Sequence, residues 1–337
     1  MAPAGRRGRW ARLAFRKVDP GETWRALRTV SLPLLALAVA IKGLAFGALA
    51  LRSRITMAAT GRLSLRTLAS AHLVGYTGNT VLPFRLGELL RMEYLSQRTA
   101  AGRSFTLTTV VVERLLDSLL LVVLFASTAP WVLGSRSWGP GVALVVLGTL
   151  AALGVATLMG RSGILPVLVR WVARVWPVVG EALERRAHQV VAGLGALTGR
   201  RSLVEAFLAT VLYWSVGFST LTVLLHAFAL DVPWWAPAFI IAMVAVGTAL
   251  PSSPAFVGTF HYFSAWALEL LGVPAEAAAS FAIVSHAVAV GPYSVVGLAF
   301  FAPWIASWSS VADEAGADEP ASGLEEAAEA PSASRDG

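Results

Sequence analysis

Long apolar runs separated by short polar stretches dominate this chain. The first extends from about Val30 to Leu51, interrupted by Lys42, and a shorter one follows from Leu65 to Leu82. Phe105 to Leu133 and Gly141 to Met159 are predicted as an antiparallel pair of spanning helices, with Trp131 and Trp138 near the turn where interfacial aromatics belong. Leu203 to Leu230, Trp234 to Leu250, Phe256 to Leu271 and Ala275 to Trp304 complete the series. Roughly 20 apolar residues are needed for a helix to cross the hydrocarbon core. The pattern therefore predicts an all-α polytopic membrane protein with about eight transmembrane helices in residues 30–304, the run from Leu65 being marginal as a full span.

The stretches outside these runs differ in kind. Residues 1–29 form a basic segment, and residues 305–337 an acidic Ala/Glu/Pro/Ser-rich tail expected to be disordered. Arg161 to Arg201 interleaves Ile164, Leu168, Trp171, Val175, Val178 and Leu183 with arginines. Either amphipathic helices on the membrane surface or an ordinary cytoplasmic loop fits that pattern.

Composition sharpens the class: 56% of the 337 residues are hydrophobic, 14% are charged, and mean hydropathy is +0.67. These values lie outside the soluble globular range. The membrane body is then expected to be the whole machine, because eight helices leave no room for a soluble catalytic domain of ordinary size. Cysteine is absent, which excludes disulfides, thiolate catalysis and cysteine zinc sites. No His-Glu-x-x-His, Gly-x-Ser-x-Gly or Gly-x-x-x-x-Gly-Lys-Ser/Thr motif occurs, so an ATP-driven pump is not expected, nor an enzyme of those types, and neither a cofactor nor a metal is called for.

Charge gives an orientation. The net charge is +7, but eight of the twenty acids lie beyond Ala312 with only Arg335 beside them. The body therefore holds twelve acids against twenty-six bases, about +14. The excess gathers in residues 1–29 and in Arg161 to Arg201, and both read as cytoplasmic by the positive-inside rule. Basic segments rest on anionic headgroups, so a nucleic-acid partner is not expected. The Arg6-Arg7 pair lacks the short apolar core and cleavage site of a signal, so no cleaved targeting peptide is expected. Counting spans outward from the central basic stretch puts both termini in the cytoplasm of a cell membrane. One conflict arises: Arg52, Arg54, Arg62 and Arg66 then fall outside. Either the segment after them is re-entrant, or those arginines hold extracytoplasmic phosphates.

Two apolar segments end in a similar step, Gly78-Asn79-Thr80-Val81-Leu82-Pro83 and Gly247-Thr248-Ala249-Leu250-Pro251. Proline interrupts helical hydrogen bonding and glycine allows tight turns, so Pro83 with Gly87, and Pro251 with Pro254 and Gly258, mark candidate broken or re-entrant segments. Paired interruptions in corresponding halves point to a transporter site and an inverted repeat; chance similarity is the competing reading.

The candidate chemistry lies beside the first interruption. Arg85, Glu88 and Arg91 are spaced three apart and would share one helical face; Glu113 and Asp117 are four apart, with Arg114 between them. A charge at the centre of a bilayer helix costs roughly 3 kcal/mol on insertion scales, so such groups face a bundle interior, a cavity or a ligand. Arginine forks suit phosphate oxygens and carboxylates can orient them; mutual pairing that merely holds helices together fits equally. His226, His261 and His286 read as packing residues, except that His261, following Gly258, could serve proton coupling. Lys42 and Glu269 read as snorkelling or paired groups.

Taken in order, Leu82-Pro83-Phe84-Arg85-Leu86-Gly87-Glu88-Leu89-Leu90-Arg91, Val112-Glu113-Arg114-Leu115-Leu116-Asp117 and Pro251-Ser252-Ser253-Pro254 through Gly258-Thr259-Phe260 resemble motifs of the stand-alone lysylphosphatidylglycerol synthase transmembrane, or flippase-like, family. Larger members join this domain to a soluble aminoacyl transferase and use the membrane part to move an aminoacylated phospholipid between leaflets. Ala255 and Phe256 stand where glycines are expected, and His261 where an acidic residue is common. The resemblance implies a lipid translocase whose partner is a membrane lipid, an anionic phospholipid or a polyprenyl-phosphate-linked substrate. Arg85, Arg91 and Arg114 would take the phosphate, and Glu88, Glu113 and Asp117 would orient and gate. A membrane enzyme acting on a lipid phosphate, and a non-transporting subunit that docks a glycosyltransferase or synthase, are the alternatives. Oligomeric state is not legible.

Overall fold

A computed structural model describes residues 28–61, 63–82, 86–134, 190–194, 199–249 and 253–317, with isolated positions 21, 24, 147, 148, 151 and 158. Every regular element among them is helical: α1 (Leu32–Thr56), α2 (Leu65–Val81), α3 (Gly87–Arg98), α4 (Arg103–Leu133), α5 (Arg200–Ala227), α6 (Ala236–Ala249), α7 (Thr259–Leu270) and α8 (Ala275–Ala317). Three stretches are long and apolar enough to cross a membrane: α1, Arg201–Ala227 of α5 and Ala275–Ser307 of α8. Their outward faces carry Leu37, Leu44 and Leu51, Val204, Leu208 and Leu212, and Val295, Val296 and Leu298, all exposed. A soluble bundle would turn polar residues outward; this one is apolar all round and is built for lipid.

Buried clusters define the two ends. One gathers Met57, Leu68, Tyr94, Leu95, Phe105 and Trp304, which brings together the end of α1, the start of α2, the end of α3, the start of α4 and the later part of α8. The other gathers Ala38, Ala129, Leu225, Ala236, Leu268 and Ala278, the start of α1, the ends of α4, α5 and α7, and the starts of α6 and α8. The Ser31 amide also donates to the Ala227 carbonyl at 3.0 Å, so α1 and α5 run antiparallel.

Two helical hairpins occupy the space between the long helices. In the first, α2 enters from the Met57 end and α3 returns to it, with Tyr94 donating to Ser70 Oγ at 3.1 Å and a Gly87 Cβ, if there were one, overlapping the Gly75 carbonyl. In the second, α6 enters from the Ala236 end and α7 returns there, a virtual Cβ on Gly247 overlapping the Phe263 ring. At 1.5 Å per residue, arms of 17, 12, 14 and 12 residues are about 18–26 Å long and stop short of a full crossing. The chain thus repeats one unit, long helix, re-entrant hairpin, long helix, in α1–α4 and again, inverted, in α5–α8.

Re-entrance settles the conflict over the early arginines, since Arg52 and Arg54 lie at the same end as Arg98 and Arg103. Because each hairpin returns to its own face, the start of α1 and Trp304 lie at opposite ends of the bundle. Residues 1–20, the predicted helix Gly141 to Met159 except for isolated positions, and most of Arg161 to Arg201 lie outside the described residues. Residues 190–194 are helical, and Leu194 packs with Val112, Leu116 and Ala206. That part of the central stretch belongs to the bundle rather than to a surface loop.

Candidate functional site

The hairpin tips meet at a cavity of about 340 Å³, midway between the two ends. Asn79 and Thr80 reach it from the end of α2, Thr248 and Ala249 from the end of α6, and Phe256 from the turn that follows. Both halves of the Gly/Pro-interrupted sequence pattern therefore deliver polar helix ends to one place, as a broken-helix site requires. Thr80 also meets Ser294 Oγ of α8 at 2.8 Å, and Asn79 Oδ1 accepts from the Gly87 amide at 2.9 Å, which closes the first tip on itself.

An ionic cluster lies against the Met57 side of this cavity. Arg52 of α1 donates to Asp117 Oδ1 at 2.6 Å and lies 3.5 Å from Glu113 Oε2. Arg91 of α3 donates to Glu113 Oε2 at 2.8 Å and to Ser53 Oγ at 2.9 Å. Ser53 and Thr56 both donate to Glu113 Oε1, at 2.8 and 3.0 Å. Because the single Ser53 proton goes to Glu113, His72 Nε2, 2.8 Å away, must carry the hydrogen that Ser53 accepts. Arg114 lies 3.4 Å from Asp117 and 3.6 Å from Glu88, and Glu88 lies 3.6 Å from Arg91. Trp214 Nε1 donates to Asp117 at 2.9 Å.

Three guanidinium groups and three carboxylates thus balance one another across α1, α3 and α4. Glu113 and Arg52 are fully buried, whereas the Arg114 side chain is 38% exposed and lines the cavity together with Asp117. Burial in lipid makes such a network all-or-nothing, because each charge left alone costs several kcal/mol.

Of the sequence-predicted group, Glu88, Arg91, Glu113, Arg114 and Asp117 fall in one network, and only Arg114 and Asp117 among them line the cavity. Arg85, Pro83 and Pro251 lie outside the described residues. Gly87 opens α3 where no side chain would fit. Pro254 starts a single 3-10 turn in which Ala255 and Phe256 have φ of 54° and 59°. That left-handed conformation favours glycine, which is the residue the resemblance led one to expect there. The Ala255 carbonyl accepts from His286 Nε2 at 2.7 Å. Gly258, at φ 90°, donates its amide to His261 Nδ1 at 3.3 Å, and the His261 and His286 rings lie 4.5 Å apart. His261 thus caps α7 behind the second tip instead of lining the cavity.

Two residues were missed. Arg52 had been noticed only as an exception to the charge rule, and that exception was itself the signal of a partner in the protein. Lys42 had been read as a snorkelling or paired group, and it lines the cavity with its Nζ 5.2 Å from the centre of the Tyr293 ring. Ten residues inside α1, about 15 Å along the axis, it lies too deep for its stem to reach headgroups.

The protein family described as the lysylphosphatidylglycerol synthase TM region matches residues 10–297, which include every element of the bundle down to the middle of α8. No curated protein matches the chain.

Proposed function

Because the chain belongs to the lysylphosphatidylglycerol synthase TM-region family, whose membrane domain is related to lipid handling, we propose that it is a translocase that passes a phosphate-bearing lipid headgroup between leaflets of the cell membrane. The observation that carries this reading is the cavity between two re-entrant tips that enter from opposite ends, bordered by Arg114 and by the hydroxyls of Tyr76, Thr80, Ser118 and Tyr213. Polar walls at mid-depth lower the cost of taking a charged headgroup through hydrocarbon. Movement of either tip would open the cavity toward one face while the other stays closed, with the acyl chains left in the bilayer. Arg114 supplies a fork for phosphate oxygens, and Asp117, tied to Arg52 and Trp214, fixes its orientation.

The test is reconstitution in liposomes with a trace fluorescent phospholipid, scored by leaflet accessibility. Wild type should equilibrate the label, and Arg114→Gln should slow it roughly 10–100-fold, the equivalent of a lost charge-assisted contact. A folded wild type that moves no lipid across several anionic and polyprenyl phosphate probes would overturn the reading.

A further inference from the structure

Lys42 carries a charge that none of the described residues balances. The arginines of the neighbouring network are matched one for one by Glu88, Glu113 and Asp117, so the network adds no net charge to the cavity. Among the described residues, none brings a carboxylate within 4 Å of the Lys42 ammonium, which lies over the Tyr293 ring instead. That ring is itself fixed, since the Tyr293 hydroxyl donates to the Lys42 carbonyl at 2.8 Å and the ring packs edge-on against Phe46. An ammonium held at mid-bilayer depth against an aromatic wall, beside an open cavity, is poised for an anion that arrives with the substrate.

We propose that Lys42 is the anchor for the phosphate of a singly charged phosphodiester, and that this cation, unbalanced among the described residues, sets the charge class of the substrate. The inference rests on the translocase reading and deepens it. A phosphodiester brings one negative charge and balances the Lys42 ammonium. A phosphomonoester or a diphosphate brings about two or more at neutral pH, and among the described lining residues the other cation, Arg114, is already matched by Asp117 and Glu88. The Asn79 amide NH2, whose Oδ1 accepts from Gly87, and whichever of the Tyr76 and Tyr213 hydroxyls, 3.0 Å apart, accepts from the other can donate to the remaining oxygens. The cavity lies at the small end of ligand pockets, which suits a headgroup whose chains stay outside. Phosphatidylglycerol and water-soluble phosphodiesters share this chemistry.

The experiment measures binding rather than transport, so it separates this inference from the translocase reading. Full-length protein in zwitterionic micelles is titrated with fluorescent short-chain phosphatidylglycerol and, separately, with fluorescent phosphatidylcholine, whose headgroup has no net charge. Wild type should prefer the anionic probe by about ten-fold, Lys42→Gln should lose that preference, and Lys42→Arg should recover most of it. Lys42→Gln should also melt no lower than wild type, because it removes an unbalanced charge from the membrane. Unchanged preference in Lys42→Gln would overturn the proposal, as would a large loss of thermal stability, which would make Lys42 a structural group. Displacement of the probe by the deacylated headgroup at equal concentration would overturn the lipid as its source. Lys42-dependent binding without any movement between leaflets would sustain this assignment and remove the translocase.

Discussion

Glu113→Gln is the substitution on which the ionic cluster is most exposed to failure. The carboxylate has no exposure to solvent and accepts from Arg91, Ser53 and Thr56, with Arg52 3.5 Å away. Glutamine keeps the shape and removes the charge, so three arginines face two carboxylates and one guanidinium is left buried without a counterion. Breaking a buried pair in this way costs about 3–5 kcal/mol. At roughly 2–4 °C per kcal/mol for a body of this size, the melting temperature should fall by roughly 6–20 °C. The assay is thermal melting of purified protein in detergent, monitored by helical circular dichroism. Glu113→Gln combined with Arg91→Gln restores neutrality and should recover part of the loss, with a coupling of about 1–3 kcal/mol. If Glu113→Gln melts within about 1 °C of wild type, the cluster does not hold α1, α3 and α4 together, and its charges are unpaired in the molecule.

Two further outcomes follow from the hairpins. Gly87→Ala would push a methyl group into the Gly75 carbonyl and Asn79, so it should cost about 1–3 kcal/mol of stability and slow translocation even though no charge is touched; transport and melting equal to wild type would mean the first tip is looser than it looks. At the membrane edge, Arg103 grips both oxygens of Glu93 at 2.6 Å and holds this carboxyl below the usual carboxylate range. A depressed folded-state value means a contribution that is present above the ordinary carboxylate range and disappears as pH falls through the folded value. Wild type should therefore melt slightly above Glu93→Gln at about pH 7 and converge with it toward pH 3; a gap that widens on acidification would refute the pairing.

Much of the scaffold was legible because bilayers impose apolar length and because proline and glycine punctuate it. The paired Gly78 to Pro83 and Gly247 to Pro251 steps pointed to the two tips, and the tips do meet. Crossing number was less legible, because an apolar arm of 17 residues such as α2 resembles a short span and only its packing against α3 reveals the return. The acids and bases of α3 and α4 were legible as a group, since i, i+3 and i, i+4 spacing stacks them on one face. What spacing cannot convey is which of them face inward to one another. Glu113 and Arg91 spend their hydrogen bonds on each other and on Ser53, while Arg114 and Asp117, on the same helix as Glu113, reach the cavity. Lys42 was discounted by residue type when its depth in α1 was the informative quantity.

The internal balance of the ionic cluster has an electrical consequence. A unit charge carried through the whole membrane field exchanges about 2.3 kcal/mol per 100 mV. Glu88 and Arg91, the members of the cluster carried by the first hairpin, have no net charge between them, so the resting voltage does no net work on that pair when the hairpin shifts. Lys42 is different. On the proposal made above, the ammonium of the empty site senses the fraction of the field that falls to its depth and a bound anion cancels most of that, so voltage would act on the vacant protein more than on the loaded one.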